Sequence, residues 1–352
     1  MKTAQGSNNQ SGFSIAELLV VLTIMLIVMT SVFGLMKDST VITMATYEMT
    51  DAQESLRTAQ EYINRDLIVA GDRLRGLNNI CVRNGFVTNF LTRNPGSIVC
   101  GGGTVNLPLV QSDDNVPANT PILLTNPVVN VRSNPALTDR INILQVDAGF
   151  TPVTVQANAI TPTGGSITIA GADINRVNAG EIYFIASSSR ATFAAITAKD
   201  AATGILTFAT GDAYGLNQAV DGGPISMVSA GGTLPVAIMR MRIIHYFINE
   251  NGLLIRRVFG VNGGVGHFDS VIAEHVTSIQ FRYLLNFPGA NAAAEQPVAQ
   301  LLTGAQQIAV RQVEVSVTTE TVHPLPNGSR QPITMTTTTS VRNLQFLETQ
   351  QP

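Results

Sequence analysis

A short polar leader gives way to Gly12-Phe13-Ser14-Ile15-Ala16-Glu17, and then to an apolar run that reaches Met36 with no further charge. From Phe13 the run holds about twenty-four residues, enough for a helix that crosses a bilayer at ~1.5 Å per residue. Lys2 is the one charged side chain of the leader, and Glu17 the one charge in the run. A carboxylate costs roughly 2.5–3.5 kcal/mol at the centre of a membrane helix and less near its end, so Glu17 calls for a partner. It lies one turn from Phe13, and a cut after Gly12 would create a free α-amino cation beside it. A secretory signal would end its apolar region in a small-residue cleavage site. Here Lys37-Asp38-Ser39-Thr40 follows the run, and the glycine precedes it. A plain single-pass anchor would have no use for Glu17.

Gly12, Phe13 and Glu17, followed by Leu18-Leu19-Val20-Val21-Leu22, closely resemble the type IV prepilin signal. The resemblance implies that a prepilin peptidase cuts between Gly12 and Phe13, methylates the new amine of Phe13 and leaves the apolar helix in place. It also implies a role for Glu17 in assembly, as the ion-pair partner of the N-methylated amine of a neighbouring subunit. In a low-dielectric core such a contact is worth far more than at a surface.

Val41, Ala45, Ala52, Leu56, Ala59, Ile63, Leu67 and Ala70 recur mostly at three- and four-residue steps, the apolar stripe of an amphipathic helix. Glu48, Asp51, Glu54, Arg57 and Glu61 occupy other positions, and no proline falls between Phe13 and Asn94. One long helix is expected from about Phe13 to about Ala70, with Gly71 as its stop and Gly34 as a weak point costing roughly 1 kcal/mol against alanine. The stretch Arg65-Asp66-Leu67-Ile68-Val69-Ala70-Gly71 is similar to the one that ends the long helix in minor pilins of the PilW kind. Its plainer reading is a helix end with polar residues outward.

From about Gly76 to Ala230 the chain is rich in Gly, Asn, Pro and Thr, with short apolar runs such as Arg140–Val146 and Glu181–Ala186. It reads as β-rich with long loops, an insertion on a smaller core. Beyond Val236, two apolar runs around Asn251-Gly252 read as a hairpin. Val313, Val315 and Val317 alternate with polar residues, which marks a half-buried strand, and the tract Thr334–Thr339 leads into Val341-Arg342-Asn343-Leu344. Together with Glu274–Tyr283 these predict an antiparallel sheet of about four strands. The order resembles PilW-like minor pilins and the J-type pseudopilins of type II secretion.

The two cysteines, Cys81 and Cys100, bracket about twenty residues. An even count, close spacing and an export signal favour a disulfide between them over two unpaired small apolar side chains, and it would add roughly 3 kcal/mol. Charged residues make up 13% and the net charge is −3, with no basic run and no Trp, so neither an electrostatic nor a stacking surface for nucleic acid is indicated. His245, His267, His275 and His323 are scattered without zinc spacing. Asp113-Asp114-Asn115 is oxygen-rich and of the kind calcium takes, but it lacks EF-hand spacing and reads first as a solvated turn.

The expected fold is therefore α+β: a long, pilin-like N-terminal helix packed on an antiparallel β-sheet, with a β-rich, loop-rich middle insertion. The expected segments are a leader (1–12), a membrane or filament-core helix (13–36), its amphipathic continuation (37–75), a variable region (76–235) and a C-terminal sheet (236–352). The resemblance implies a non-enzymatic minor pilin with no cofactor. Its partners would be the prepilin peptidase, other minor pilins and the major pilin. It would cross the inner membrane once, with the C-terminal domain periplasmic, before entering a pilus at the cell surface. A J-type pseudopilin and a pilus-tip adhesin are the alternatives.

Overall fold

The computed structural model describes residues 14–72, 74, 80–88, 99–101, 103–107, 109–116, 121–122, 129–130, 138–188, 190–218, 223–229, 235–261, 266–285, 298–299, 306, 309–325 and 328–341. In chain order they form helix α1 (Ile15–Ile68), β1 (Cys81–Arg83), β2 (Val99–Gly101), β3 (Thr104–Asn106), β4 (Val110–Val116), β5 (Pro121–Ile122), β6 (Val129–Asn130), β7 (Thr138–Val146), β8 (Val153–Val155), β9 (Ser166–Thr168), β10 (Ile182–Ala186), β11 (Ala191–Ala195), β12 (Ala198–Asp200), β13 (Ile205–Thr207), β14 (Val236–Ile248), β15 (Leu254–Phe259), β16 (His267–Ala273), β17 (Val276–Leu285), β18 (Val310–Glu320) and β19 (Pro332–Ser340), with short helical turns between. The fold is α+β, one long apolar helix followed by antiparallel sheets, with a β-rich middle.

Helix α1 runs unbroken for 54 residues, passing through Gly34 without a kink residue of any other kind. At ~1.5 Å per residue it is about 80 Å long. Burial begins at Ala52 and continues at Leu56, Ala59, Ile63 and Leu67, one stripe at steps of three and four. That stripe joins Ile141 and Ile143 of β7, Ile244 and Tyr246 of β14, and Val313, Val315 and Val317 of β18 in a single core. The helix ends two residues earlier than the stripe alone predicts. Ala70 is still buried, but the chain has already turned, and Gly71 at φ +70° donates its N–H to the Leu144 carbonyl of β7 at 2.9 Å. A Cβ on Gly71 would lie 2.6 Å from Leu109 Cδ1. Both the left-handed backbone and the close approach require glycine here.

β14 organises the larger sheet. At 13 residues it is long enough to serve two sets of neighbours. Its first part pairs with β8 and β10, with β11 beyond β10. Its second part pairs with β7 and β15, with β4 beyond β7 and β16 beyond β15. The expected hairpin is present as β14–β15, and Gly252 (φ +75°) closes its turn by donating to the Asn249 carbonyl at 3.0 Å. The expected single C-terminal sheet is not. β17, β18 and β19 form a separate three-stranded sheet, while β14 to β16 join strands of the middle region in an eight-stranded one. β14 is apolar on both faces, so its sheet is covered on both sides, and β15 pairs with less than half of its 13 residues, so β7, β8 and β10 of the middle region fill the remaining edge.

Thr138 and Asp139 at the start of β7 join the two sheets. The edge N–H groups of Ile279 and Phe281 in β17 donate to Thr138 Oγ1 (3.1 Å) and to Asp139 Oδ2 (2.8 Å). The other Asp139 oxygen accepts from the N–H of Asn115, held at φ +50°, at 2.8 Å. Burial pushes the Asp139 carboxyl up to about 7, against the pull of these two donors, with Asp114 and Asp113 adding repulsion.

Two outcomes follow. Gly71→Ala should lower stability by about 1–2 kcal/mol from the left-handed backbone alone, more if Leu109 cannot yield, read as a fall in melting temperature. Because the folded carboxyl of Asp139 titrates above its unfolded value of ~3.9, stability should decline as pH rises from about 4 to about 7. Asp139→Asn should flatten that slope in melting curves taken across the same range.

Candidate functional site: an apolar helix clamped to the β domain

From Ile15 to Met36 the large apolar side chains of α1 stand exposed, with Leu18, Leu19, Leu26, Phe33 and Leu35 each more than half accessible. No other described helix is long and apolar enough to cross a membrane. Its hydroxyls are satisfied internally. Thr23, Thr30 and Ser31 each donate to the carbonyl four residues back, at 2.8, 2.7 and 3.0 Å, and Thr40, Thr43, Thr46 and Thr50 do the same. From Leu18 to Met36 the helix therefore presents an uncharged apolar surface, which is what an apolar solvent demands, and the exposed charges Lys37 and Asp38 follow it.

The helix starts with a capping box. Ser14 Oγ accepts from the Ala16 N–H at 3.2 Å, and Glu17 Oε2 accepts from the Ser14 N–H at 3.1 Å. Within one chain, Glu17 thus caps its own helix. Gly12 and Phe13 lie outside the described residues.

At the other end, α1 is fastened to the β domain by a buried carboxylate. Asp66 is 3% exposed. Its Oδ2 accepts from Tyr246 Oη at 2.6 Å and from Arg256 Nε at 2.6 Å, and its Oδ1 accepts from the second Arg256 nitrogen at 3.3 Å. Its backbone carbonyl accepts from Gln145 Nε2 at 2.9 Å. One residue of the helix end is thus tied to β7, β14 and β15. Burial and then the Asp66 charge hold the Tyr246 hydroxyl protonated far above its usual range. Burial works against the charge of Arg256, but the Asp66 hydrogen bond more than restores it. Along the same helix, Thr337 Oγ1 donates to Gln60 Oε1 (2.7 Å) and Thr339 Oγ1 to Asn64 Oδ1 (2.6 Å), both from β19. Higher up, the His323 ring nitrogen Nδ1 meets Glu48 Oε1 at 2.7 Å.

The plain reading of Arg65-Asp66 as polar residues outward is half right. Arg65 is exposed and stacks over the Tyr62 ring at 4.7 Å, whereas Asp66 points inward. Tyr246 and Arg256 were not singled out in the sequence because nothing local ties them to a residue 180 or 190 positions away. Ser14 is a further residue that the sequence reading does not single out, although the Ser-x-x-Glu spacing of a capping box is the signal that marks it.

The remaining sequence candidates fall elsewhere. Cys81 is disulfide-bonded, and its strand β1 shares a three-stranded sheet with β2, which carries Cys100. The Cys100 side chain lies outside the described residues. The Asp113 carboxylate is buried in an ion pair with Arg140 at 2.7 Å rather than in a solvated turn. His245 is fully buried and held neutral by that burial, with Arg140 and Arg257 nearby adding to it. His323 lies on Glu48, His267 lies beside Phe259, and His275 occupies the β16–β17 turn at φ +55°. Arg342, Asn343 and Leu344, which follow the threonine tract of β19, lie outside the described residues.

Removing one partner from a buried pair strands the other charge, at a cost of about 3–5 kcal/mol. Asp66→Ala should therefore produce a large fall in melting temperature. Replacing Asp66 and Arg256 together by Leu and Met should recover most of it.

Residues 7–33 match the family described as the prokaryotic N-terminal methylation motif. No curated protein and no solved structure matches the chain. The chain carries a type IV pilin-like signal at the head of an exposed apolar helix, which implies processing by a prepilin peptidase and supports a membrane-anchored, pilin-like protein of a pilus or a pseudopilus.

Proposed function

We propose that this chain is a minor pilin, a low-abundance structural subunit that helps to start type IV pilus filaments and performs no catalysis. The observation that carries the proposal is the division of α1. Its stretch from Leu18 to Met36 is an exposed, uncharged apolar surface under a methylation motif, and its last turns, from Leu56 to Leu67, are locked into a folded β domain. Such a helix suits a subunit that waits in the inner membrane with its domain on the periplasmic side and then moves sideways into a helix-lined filament core. The size of the β domain and the PilW-like helix end at Arg65–Gly71 support a minor rather than a major role.

In this account the peptidase cuts between Gly12 and Phe13, and the methylated Phe13 amine replaces the Ser14 N–H as the partner of Glu17. The partner amine belongs to the neighbouring subunit, another minor pilin or the major pilin. The exchange costs little, because the carboxylate keeps a donor throughout. A J-type pseudopilin of type II secretion is the second reading, since the same motif and a similar strand order serve there.

Three measurements test this. The chain should be found by immunoblot in sheared pili, and its deletion should reduce pilus number while type II secretion continues. Secretion failing with pili intact would favour the pseudopilin. Glu17→Leu should be cut normally and be largely missing from filaments. Normal incorporation of that variant would remove the role given to Glu17.

A further inference from the structure

Outside α1 and its cap, two large apolar side chains are exposed among the described residues: Phe268 at 55% and Val271 at 54%. Both lie on β16. β16 closes one end of the eight-stranded sheet, pairing with β15 on one side and with no described strand on the other. An open edge offers unpaired N–H and C=O groups, and proteins usually blunt such edges with charge. Here the one charge on the strand, Asp269, is already engaged: Arg257 donates to it through Nε at 2.7 Å and through a second nitrogen at 2.6 Å. Phe268 is registered with Val258 and Val271 with Ile255, so the strand offers apolar contacts on both of its faces.

Beside this edge, between β16 and α1, lies a groove of roughly 530 Å³. Asp51 and Glu54 line it from the helix, Ile272 and Glu274 from β16 and its turn, and Glu320 from β18. Among the described residues no lysine or arginine lines it, and His275 is its one basic side chain. Glu320 is paired with Arg330 at 3.1 Å. Asp51, Glu54 and Glu274 have no ion pair among the described residues. An apolar edge with no described partner strand and three carboxylates with no described ion pair therefore sit side by side.

We propose that the β16 edge and this groove dock an extended, cationic segment of a partner protein. The segment adds as a strand to β16, where main-chain hydrogen bonds supply affinity and side chains supply specificity. Its apolar side chains cover Phe268 and Val271. Its lysines or arginines reach Asp51, Glu54 and Glu274, whose like charge rejects an acidic strand. The surface lies in the β domain, so the proposal does not rest on the filament reading and its test involves no processing.

The test is fluorescence anisotropy with the full chain in detergent. The probes are a labelled peptide alternating lysine and valine, and its glutamate–valine counterpart. The lysine peptide should bind saturably and the glutamate peptide should not. Phe268→Thr with Val271→Thr, which changes no charge, should weaken binding by roughly tenfold or more. Asp51→Asn with Glu54→Gln should weaken it and remove most of its salt dependence. Thr336→Lys, on the far sheet, should bind as the parent does. Equal binding of both peptides, or binding that is indifferent to both pairs of substitutions, would overturn the proposal. So would self-association of the chain that the Phe268 and Val271 substitutions abolish, because a second copy would then be the occupant.

Discussion

The structure depends on the ion pair between Asp66 and Arg256, reinforced by Tyr246. One helix must serve two environments: its first half suits an apolar solvent, and its second half is the spine of a folded domain. A rigid rod of this length magnifies any looseness at its root. Apolar packing of Leu56, Ile63 and Leu67 holds the helix against the sheets but leaves it free to slide or turn, because apolar contacts have little direction. The buried carboxylate supplies the direction. It accepts from two strands at once while its carbonyl accepts from a third, so the rotation and depth of the helix are set together. The desolvation cost of a buried pair makes it a poor source of net stability and a good source of a single arrangement.

The strand that receives Asp66 is also the one on which the β domain is built. β14 and its neighbour β15 carry Tyr246 and Arg256, and β14 continues past the helix to pair with β8 and β10 of the middle region. The middle strands are thus hydrogen-bonded to the same strand that grips the helix. At the other side of the domain, the smaller sheet is held by Thr138 and Asp139, whose side chains take the place of a missing strand along β17. The domain is consequently a chain of directional contacts: helix to β14, β14 to β7, and β7 to β17.

What could be read from the sequence was whatever repeats over a short distance. The helix and its buried stripe follow from steps of three and four between Ala52 and Leu67. The β14–β15 hairpin follows from Asn251-Gly252, and β18 follows from the alternation around Val315. What could not be read depends on distant register. Nothing near Val236 says that it will pair with Val155, or that β17 will leave the sheet of β16. Asp66 reads as a solvated residue until Arg256 is placed beside it. Of the candidate site, Glu17 was legible as an isolated charge in an apolar run, but its intrachain partner at Ser14 was overlooked although the capping spacing was present.

The central claim is that this apolar helix is kept and not discarded, with its amine uncovered beside Glu17. Mass spectrometry of the mature N-terminus, from cells with and without the prepilin peptidase, tests it most directly. The account predicts a chain that begins at N-methylated Phe13 only when the peptidase is present. A chain that still begins at Met1 whether or not the peptidase is present would contradict it, and would leave an ordinary membrane-anchored β domain.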